Sequence, residues 1–291
     1  MRDSFLVHIA ISAIIFAILA SGFRFYVRLK GTLDFSYLAI VIFASYTSAL
    51  SNIHRDIGIL GSIGIAFGIS LLFTFFVLYL SSRLDDVYFT IWTLALYILA
   101  YQLAFNLEWI TGGALGLSGM NRNIIGDVFA TWLQPYLVFS AIIGAIVFAG
   151  LLYFKKTYLY RILQWWGENA VVIKSLGVQI AWYKLIMIVI TTLLASVGWG
   201  LYSFYYLYID PPTFWLGMLI LLITIAFVSY KWNDLGVLLV SFIVLLGYEY
   251  LRFFKVVDAA KVGYLREIIF GLLIIIVSFI IFRKTSFGRS Q

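Results

Sequence analysis

Cysteine is absent from the 291 residues, which excludes disulfides, thiolate catalysis, cysteine-ligated zinc and iron–sulfur clusters. Histidine is nearly absent: His8 and His54 are the only two and lie far apart, so each reads as a structural or interfacial group and no metal site is expected. Charge is scarce as well. Asp, Glu, Lys and Arg make up 11% of the chain, against roughly 25% in a soluble domain, too little to coat a globule. No G-x-x-x-x-G-K-[ST] phosphate loop occurs, so nucleotide is not bound by that route. Nor is there a soluble domain: the longest polar interruption, 154–184, is itself semi-apolar.

What remains is hydrophobic: 64% of residues, with a mean hydropathy of +1.04. Apolar runs of about 20 residues, enough to cross a bilayer as a helix, recur along the chain, and none alternates with the period of two that a barrel requires. The expected fold is therefore all-α, a polytopic transmembrane bundle forming one domain over 1–291. About nine spans (eight to ten) are expected, near 4–22, 35–51, 57–80, 88–107, 131–153, 184–208, 214–230, 235–254 and 264–282. The second, flanked by Gly31 and Asp34, is short enough to be broken or tilted. The first follows Arg2 and resembles a signal peptide, but it is longer than a usual signal core and more spans follow, so it reads as retained.

The net charge of +7 sits at span ends, where membrane topology explains it without nucleic acid. Basic residues gather in 23–34 (Arg24, Arg28, Lys30), in 154–184 (Lys155, Lys156, Arg161, Lys174, Lys184) and in the tail (Arg283, Lys284, Arg289). Placing all three in the cytoplasm satisfies strict alternation and puts 108–130 and Asp210 outside. It also forces the N-terminus outside, unless an extra segment lies in the first fifty residues.

Residues 111–119 read Thr-Gly-Gly-Ala-Leu-Gly-Leu-Ser-Gly. Glycine permits close approach and dihedrals that other residues avoid, and irregular backbone at membrane depth must be buried in protein or line a cavity. A solute contact and an ordinary interfacial loop both fit this segment. Asn106 and Glu108 beside it can order the loop, Pro211–Pro212 mark a turn, and Glu249 and Arg252 share a helical face and can pair.

In the basic connector, Glu168 and Asn169 can open a short helix that Gly177 closes. Such a helix of about two turns would make a knob for a partner, or else an amphipathic connector with Trp165, Trp166 and Trp182 at headgroup level. The stretch resembles the cytoplasmic coupling segment of branched-chain amino-acid type ABC importer permeases, roughly R-E-N-E-x-A-A-x-S-L-G-I followed by a Tyr-Lys-Leu entry. Glu168, Asn169, Ser175, Leu176, Gly177, Tyr183, Lys184 and Leu185 are kept; Gly167, Ala170 and Val172–Ile173 depart from it. The resemblance is collinear over essentially the whole chain. GTLDFSYLAIVIFASYTSAL at 31–50, TGGALGLSG at 111–119, GLYSFYYLYIDPPTF at 200–214, YEYLRFF at 248–254 and YLREIIFGLLIIIVSF at 264–279 are each similar to a family motif, in order. The glycine-rich segment usual before the penultimate span is reduced here to Gly236, a departure that implies a reshaped solute path.

The resemblance implies a permease subunit without catalytic chemistry or cofactor of its own. It implies a lipid-embedded chain with a second permease, identical or homologous, two cytoplasmic ATPase subunits docked on 167–178, and an extracytoplasmic solute-binding protein. ATPase coupling would fall to Glu168, Asn169, Ser175, Leu176 and Gly177, and the solute path to Thr111, Gly112, Gly113, Gly116 and Ser118, with Tyr46 as a lining residue. Relatives with this pattern carry branched-chain or other amino acids, urea and short amides. An ion-coupled carrier is the other function class; it usually needs buried carboxylates, and Glu249 is the deepest acid here. A membrane-embedded lipid enzyme would want a convergent polar catalytic cluster, which the sequence does not offer.

Overall fold

The computed structural model describes residues 2–30, 35–81, 84, 86–122, 133–168, 170–178, 180–230, 232–251, 265–277 and 279. Long helices dominate: α1 Arg2–Lys30, α2 Ser36–Arg55, α3 Ile59–Ser81 and α4 Asp86–Asn106, then a single turn α5 Glu108–Thr111. After these come α6 Leu133–Lys156, α7 Tyr158–Glu168, α8 Ala170–Ser175, α9 Ile180–Tyr206, α10 Leu216–Val228 and α11 Asp234–Tyr250. A further helix covers 265–277. Two dipeptide strands, β1 Leu117–Ser118 and β2 Tyr208–Ile209, pair antiparallel, with Leu117 opposite Ile209.

Seven helices are long and apolar enough to cross a membrane, among the described residues. Seven of the nine expected spans are thus met; at the other two, the described residues show α11 with 17 residues and a helix over 265–277. The second span also differs from expectation. It is one unbroken helix of 20 residues, closed at Asp56, whose left-handed backbone (φ 48) lets its N–H reach the Asn52 carbonyl at 2.9 Å.

Burial divides the helices into a centre and a periphery. Within their most apolar windows α1 and α2 are 72% and 78% buried, whereas α4 and α6 reach only 28% and 22%. Lipid is as apolar as leucine, so association in a bilayer depends on close packing and interhelical hydrogen bonds, for which small residues are suited. The central helices follow this rule: Ala13, Ala17, Ala20 and Ser21 on α1, and Ala39, Ala44, Ser45, Ser48 and Ala49 on α2, are all buried. The α2 serines satisfy themselves by bonding back to the carbonyl three residues earlier, as Ser45 does to Ile42 at 2.8 Å and Ser48 to Ser45 at 2.8 Å. Tyrosine hydroxyls join neighbouring helices through carbonyls, Tyr37 donating to Leu19 at 2.9 Å and Tyr136 to Leu201 at 2.6 Å. Leu72, Phe76, Tyr79, Ile146 and Tyr153 face outward from α3 and α6.

At the α1–α9 crossing, a Cβ on Gly198 would stand 2.6 Å from Leu19 Cδ2. Gly198→Leu overfills this contact, and a loss of about 1–3 kcal/mol is expected, read as a lowered unfolding midpoint in lipid nanodiscs.

Contacts at the two ends of the bundle settle which helix ends share a side. At one end His8 Nδ1 lies 2.6 Å from the Tyr205 hydroxyl and β1 meets β2; at the other, Arg24 of α1 and Lys155 of α6 both meet Asp234 of α11. The beginning of α1 therefore lies on the glycine-rich side, opposite the basic connector, as strict alternation requires. No extra segment breaks α1 or α2 among the described residues.

Candidate functional site

On the glycine-rich side, α4 stops at Asn106 and the chain turns through α5. Gly112 (φ +71) closes that turn, its N–H reaching Glu108 O at 3.0 Å, and Gly113–Leu115 add one 3-10 turn. The Thr111 hydroxyl sits 2.7 Å from Ala104 O and 2.8 Å from Leu107 O, and accepts from Gly113 N at 3.2 Å. Gly116 (φ +67) then lies against β2. A Cβ there would collide with the Ile209 carbonyl oxygen and come within 2.9 Å of Asp210 Cα. The Tyr208 hydroxyl donates to Leu115 O at 2.9 Å. The close approach that Gly116 permits is thus to Ile209 and Asp210 of the same chain.

Two further contacts tie this clasp to the bundle. Asn52 of α2 accepts from Asn121 N at 2.7 Å and donates to Ile57 O at 2.7 Å. Arg122 donates to Phe204 O at 2.8 Å and to Tyr205 O. Tyr46 is buried, its ring 6.0 Å from that of Phe214, and its hydroxyl has no hydrogen-bond partner among the described residues. Gly116 adjoins Asp210, whereas Ser118 is exposed. Asn106 bonds back to Gln102 O at 2.8 Å rather than into the glycine segment. The proposed pairing of Glu249 falls outside the described residues, because Arg252 does.

Behind the clasp lies a cavity of ≈ 320 Å³ between α1, α9, α10, α11 and the helix at 265–277. Its wall includes His8 and Ser12 of α1, Tyr202 and Tyr206 of α9, Thr213 and Trp215 of the turn that follows β2, and Tyr248, Glu249 and Glu267. None of Tyr46, Thr111, Gly112, Gly113, Gly116 and Ser118 lines it; the clasp holds 208–210, and Pro212 and Thr213 just beyond form part of the wall. Sequence reasoning singled out Glu249 as the deepest acid but not its neighbours. Their signal was weak, since tyrosines spaced four apart on an apolar helix look like ordinary packing.

A family model described as branched-chain amino acid transport system / permease component matches residues 5–289. The chain belongs to this permease family. It is a multi-pass protein of the cell membrane. No curated protein and no solved structure matches the chain.

On the opposite side of the permease, the basic connector folds as two helices. Helix α7 is amphipathic: Tyr160 and Leu163 pack with Phe25, Met187 and Ile188, while Trp165 faces out. A short helix stands where one of about two turns was expected, with Glu168 ahead of it rather than within it. Glu168 is the last residue of α7, and α8 begins at Ala170 and has six residues; Asn169 lies outside the described residues. Helix α8 buries Ile173, bonds Ser175 Oγ to Val172 O at 2.8 Å, and ends before an exposed Leu176 and a left-handed Gly177 (φ +73) with open space where a side chain would stand.

Between this connector and the bundle lies a buried charge cluster that sequence reasoning did not join. Arg24 donates through Nη1 to the carbonyls of Ser229 (2.7 Å) and Trp232 (2.8 Å) and through Nη2 to Asp234 Oδ1 (2.5 Å). Lys155 Nζ donates to the same oxygen at 2.5 Å. Arg24 and Asp234 are each 3% exposed. The cluster straps the α10–α11 turn to α1 and α6.

Proposed function

We propose that this permease is the membrane-spanning, non-hydrolysing subunit of an ATP-binding-cassette importer for branched-chain or related amino acids. The observation that carries the reading is the family match over 5–289, which runs from α1 through every described helix. Two ATPase subunits would dock on Glu168, Asn169, Ser175, Leu176 and Gly177; the exposed Leu176 and the left-handed turn at Gly177 support this reading. A second permease and an extracytoplasmic solute-binding protein complete the assembly. Solute would enter on the glycine-rich side, its path shaped by Tyr46, Thr111, Gly112, Gly113, Gly116 and Ser118. The clasp supports this reading by holding 208–210 beside the cavity wall.

Coupling requires that the ATPases bind the two states of the permease unequally, and α8 would transmit that difference through α7, whose Tyr160 and Leu163 pack with Phe25 of α1. Gly177→Trp introduces a bulky residue at φ +73 without entering the membrane. Insertion is expected to be unchanged, while ATP hydrolysis continues without matching uptake. Parallel measurement of both rates in proteoliposomes decides, and normal stoichiometry would remove the coupling role of 168–177.

An ion-coupled carrier is favoured by one observation, the presence of Glu249 and Glu267 in the cavity wall. Purification from native membranes separates the two: the importer brings ATPase subunits with it, and a carrier drives uptake in vesicles from an ion gradient without ATP.

A further inference from the structure

Helix α7 lies at the depth of the bundle's own ends. Tyr160 and Leu163 pack with Phe25 of α1 and with Met187 and Ile188 of α9, and the Tyr160 ring is 6.0 Å from that of Phe154 in α6. Each of these partners belongs to a segment long and apolar enough to cross the membrane. The helix therefore starts beside the ends of three spans rather than below them. Thr157 makes the break from α6: its hydroxyl donates to Phe154 O at 2.6 Å and accepts from Tyr160 N at 3.5 Å, capping α7.

The face turned away from that packing is of another kind. Tyr158 (65% exposed), Arg161 and Trp165 (51% exposed) recur at a spacing that sets them along one side of the helix, and Lys156 just before them is exposed as well. Lys155 turns inward to Asp234, whereas Lys156 and Arg161 have no ion-pair partner among the described residues. Outward-facing rings gather at the same end of the bundle: Tyr79 and Tyr88 on either side of the α3–α4 turn, and Tyr153 one turn before the end of α6. Such rings mark the level of lipid headgroups. The outward face of α6 continues at helical spacing from Ile146 and Tyr153 to Lys156, so the surface that meets lipid leads directly to the cations. At this level a lysine or arginine draws the phosphates of an anionic leaflet, and flanking Trp and Tyr fix the depth of the helix.

We propose that the outer face of α7 lies in the headgroup layer and binds anionic phospholipid, with Lys156 and Arg161 on the phosphate groups and Tyr158 and Trp165 seated among the headgroups. Neither the solute nor the ATPase subunits enter into this binding. Because α7 joins α6 to α8, an anionic leaflet would also hold the connector against the bundle.

The chain has no native cysteine, so Tyr158→Cys gives a single bimane label on this face of the full chain in lipid nanodiscs. Phosphatidylglycerol and phosphatidylcholine, each carrying a nitroxide close to the headgroup, are compared as quenchers. Half-quenching is expected at about fivefold less phosphatidylglycerol than phosphatidylcholine at low salt. Lys156→Gln with Arg161→Gln should erase the difference, and Lys156→Arg with Arg161→Lys should keep it. Equal quenching by the two lipids, or a preference that survives the glutamine pair, would overturn the proposal. Quenching by aqueous iodide and by neither lipid would overturn it too, since the face would then stand in water as a docking surface for a protein does.

Discussion

Asp234→Ala should lower the stability of the permease by about 3–5 kcal/mol, because it removes the buried carboxylate oxygen that Arg24 and Lys155 share. Arg24 and Asp234 are each 3% exposed, and Lys155, 22% exposed, shares the same carboxylate oxygen. Removing water from these charges is costly, and only mutual attraction with well-placed hydrogen bonds offsets it. Asp234 supplies that attraction for both cations, while the Ser229 and Trp232 carbonyls satisfy Arg24 but carry no net charge. The decisive comparison is a thermal-unfolding series in nanodiscs. Asp234→Ala alone should be the worst variant, and combining it with Arg24→Met should recover part of the loss, since deleting the charge with its partner avoids a stranded ion. If the double variant is no better than the single one, the cluster is not held together by charge.

The second large effect is expected at Gly116. Valine there would force a β-branched residue to φ +67 and drive its Cβ into the Ile209 carbonyl. A non-glycine residue held in such a region costs on the order of 1–3 kcal/mol, and here the collision is with backbone, which has little room to yield. We expect Gly116→Val to open the β1–β2 clasp and abolish uptake while the helices remain inserted. Hydrogen exchange at Leu117 and Ile209 would report the loss locally, and protection equal to the unmodified chain would show that the clasp tolerates the side chain. Gly119, where a side chain would meet open space, provides the matched control for the close contact.

The helices were legible because an apolar run of bridging length is a local property of the chain. Seven of the nine expected spans coincide with helices long and apolar enough to cross a membrane, and the other two overlap α11 and the helix at 265–277. The connector was legible in composition but not in detail. Glu168 read as a helix start because an acid suits the positive end of a helix dipole, yet the amphipathic residues before it, Tyr160 to Trp165, extend α7 through that position. The glycine run was recognised as a place of close approach; what it approaches, Ile209 and Asp210, lies far along the chain.

Scarcity of charge, the absence of cysteine and the length of the apolar runs were sufficient by themselves to make this a polytopic membrane chain, and the order of its motifs was sufficient to place it in its family. Which side chains meet was decided only in three dimensions. Arg24 and Asp234 are 210 positions apart, and His8, Tyr202, Glu249 and Glu267 reach one cavity from four helices. Run length and motif order are properties of neighbours along the chain; ion pairs and cavities depend on how whole helices cross, which in a bilayer is governed by small-residue contacts such as Gly198 against Leu19.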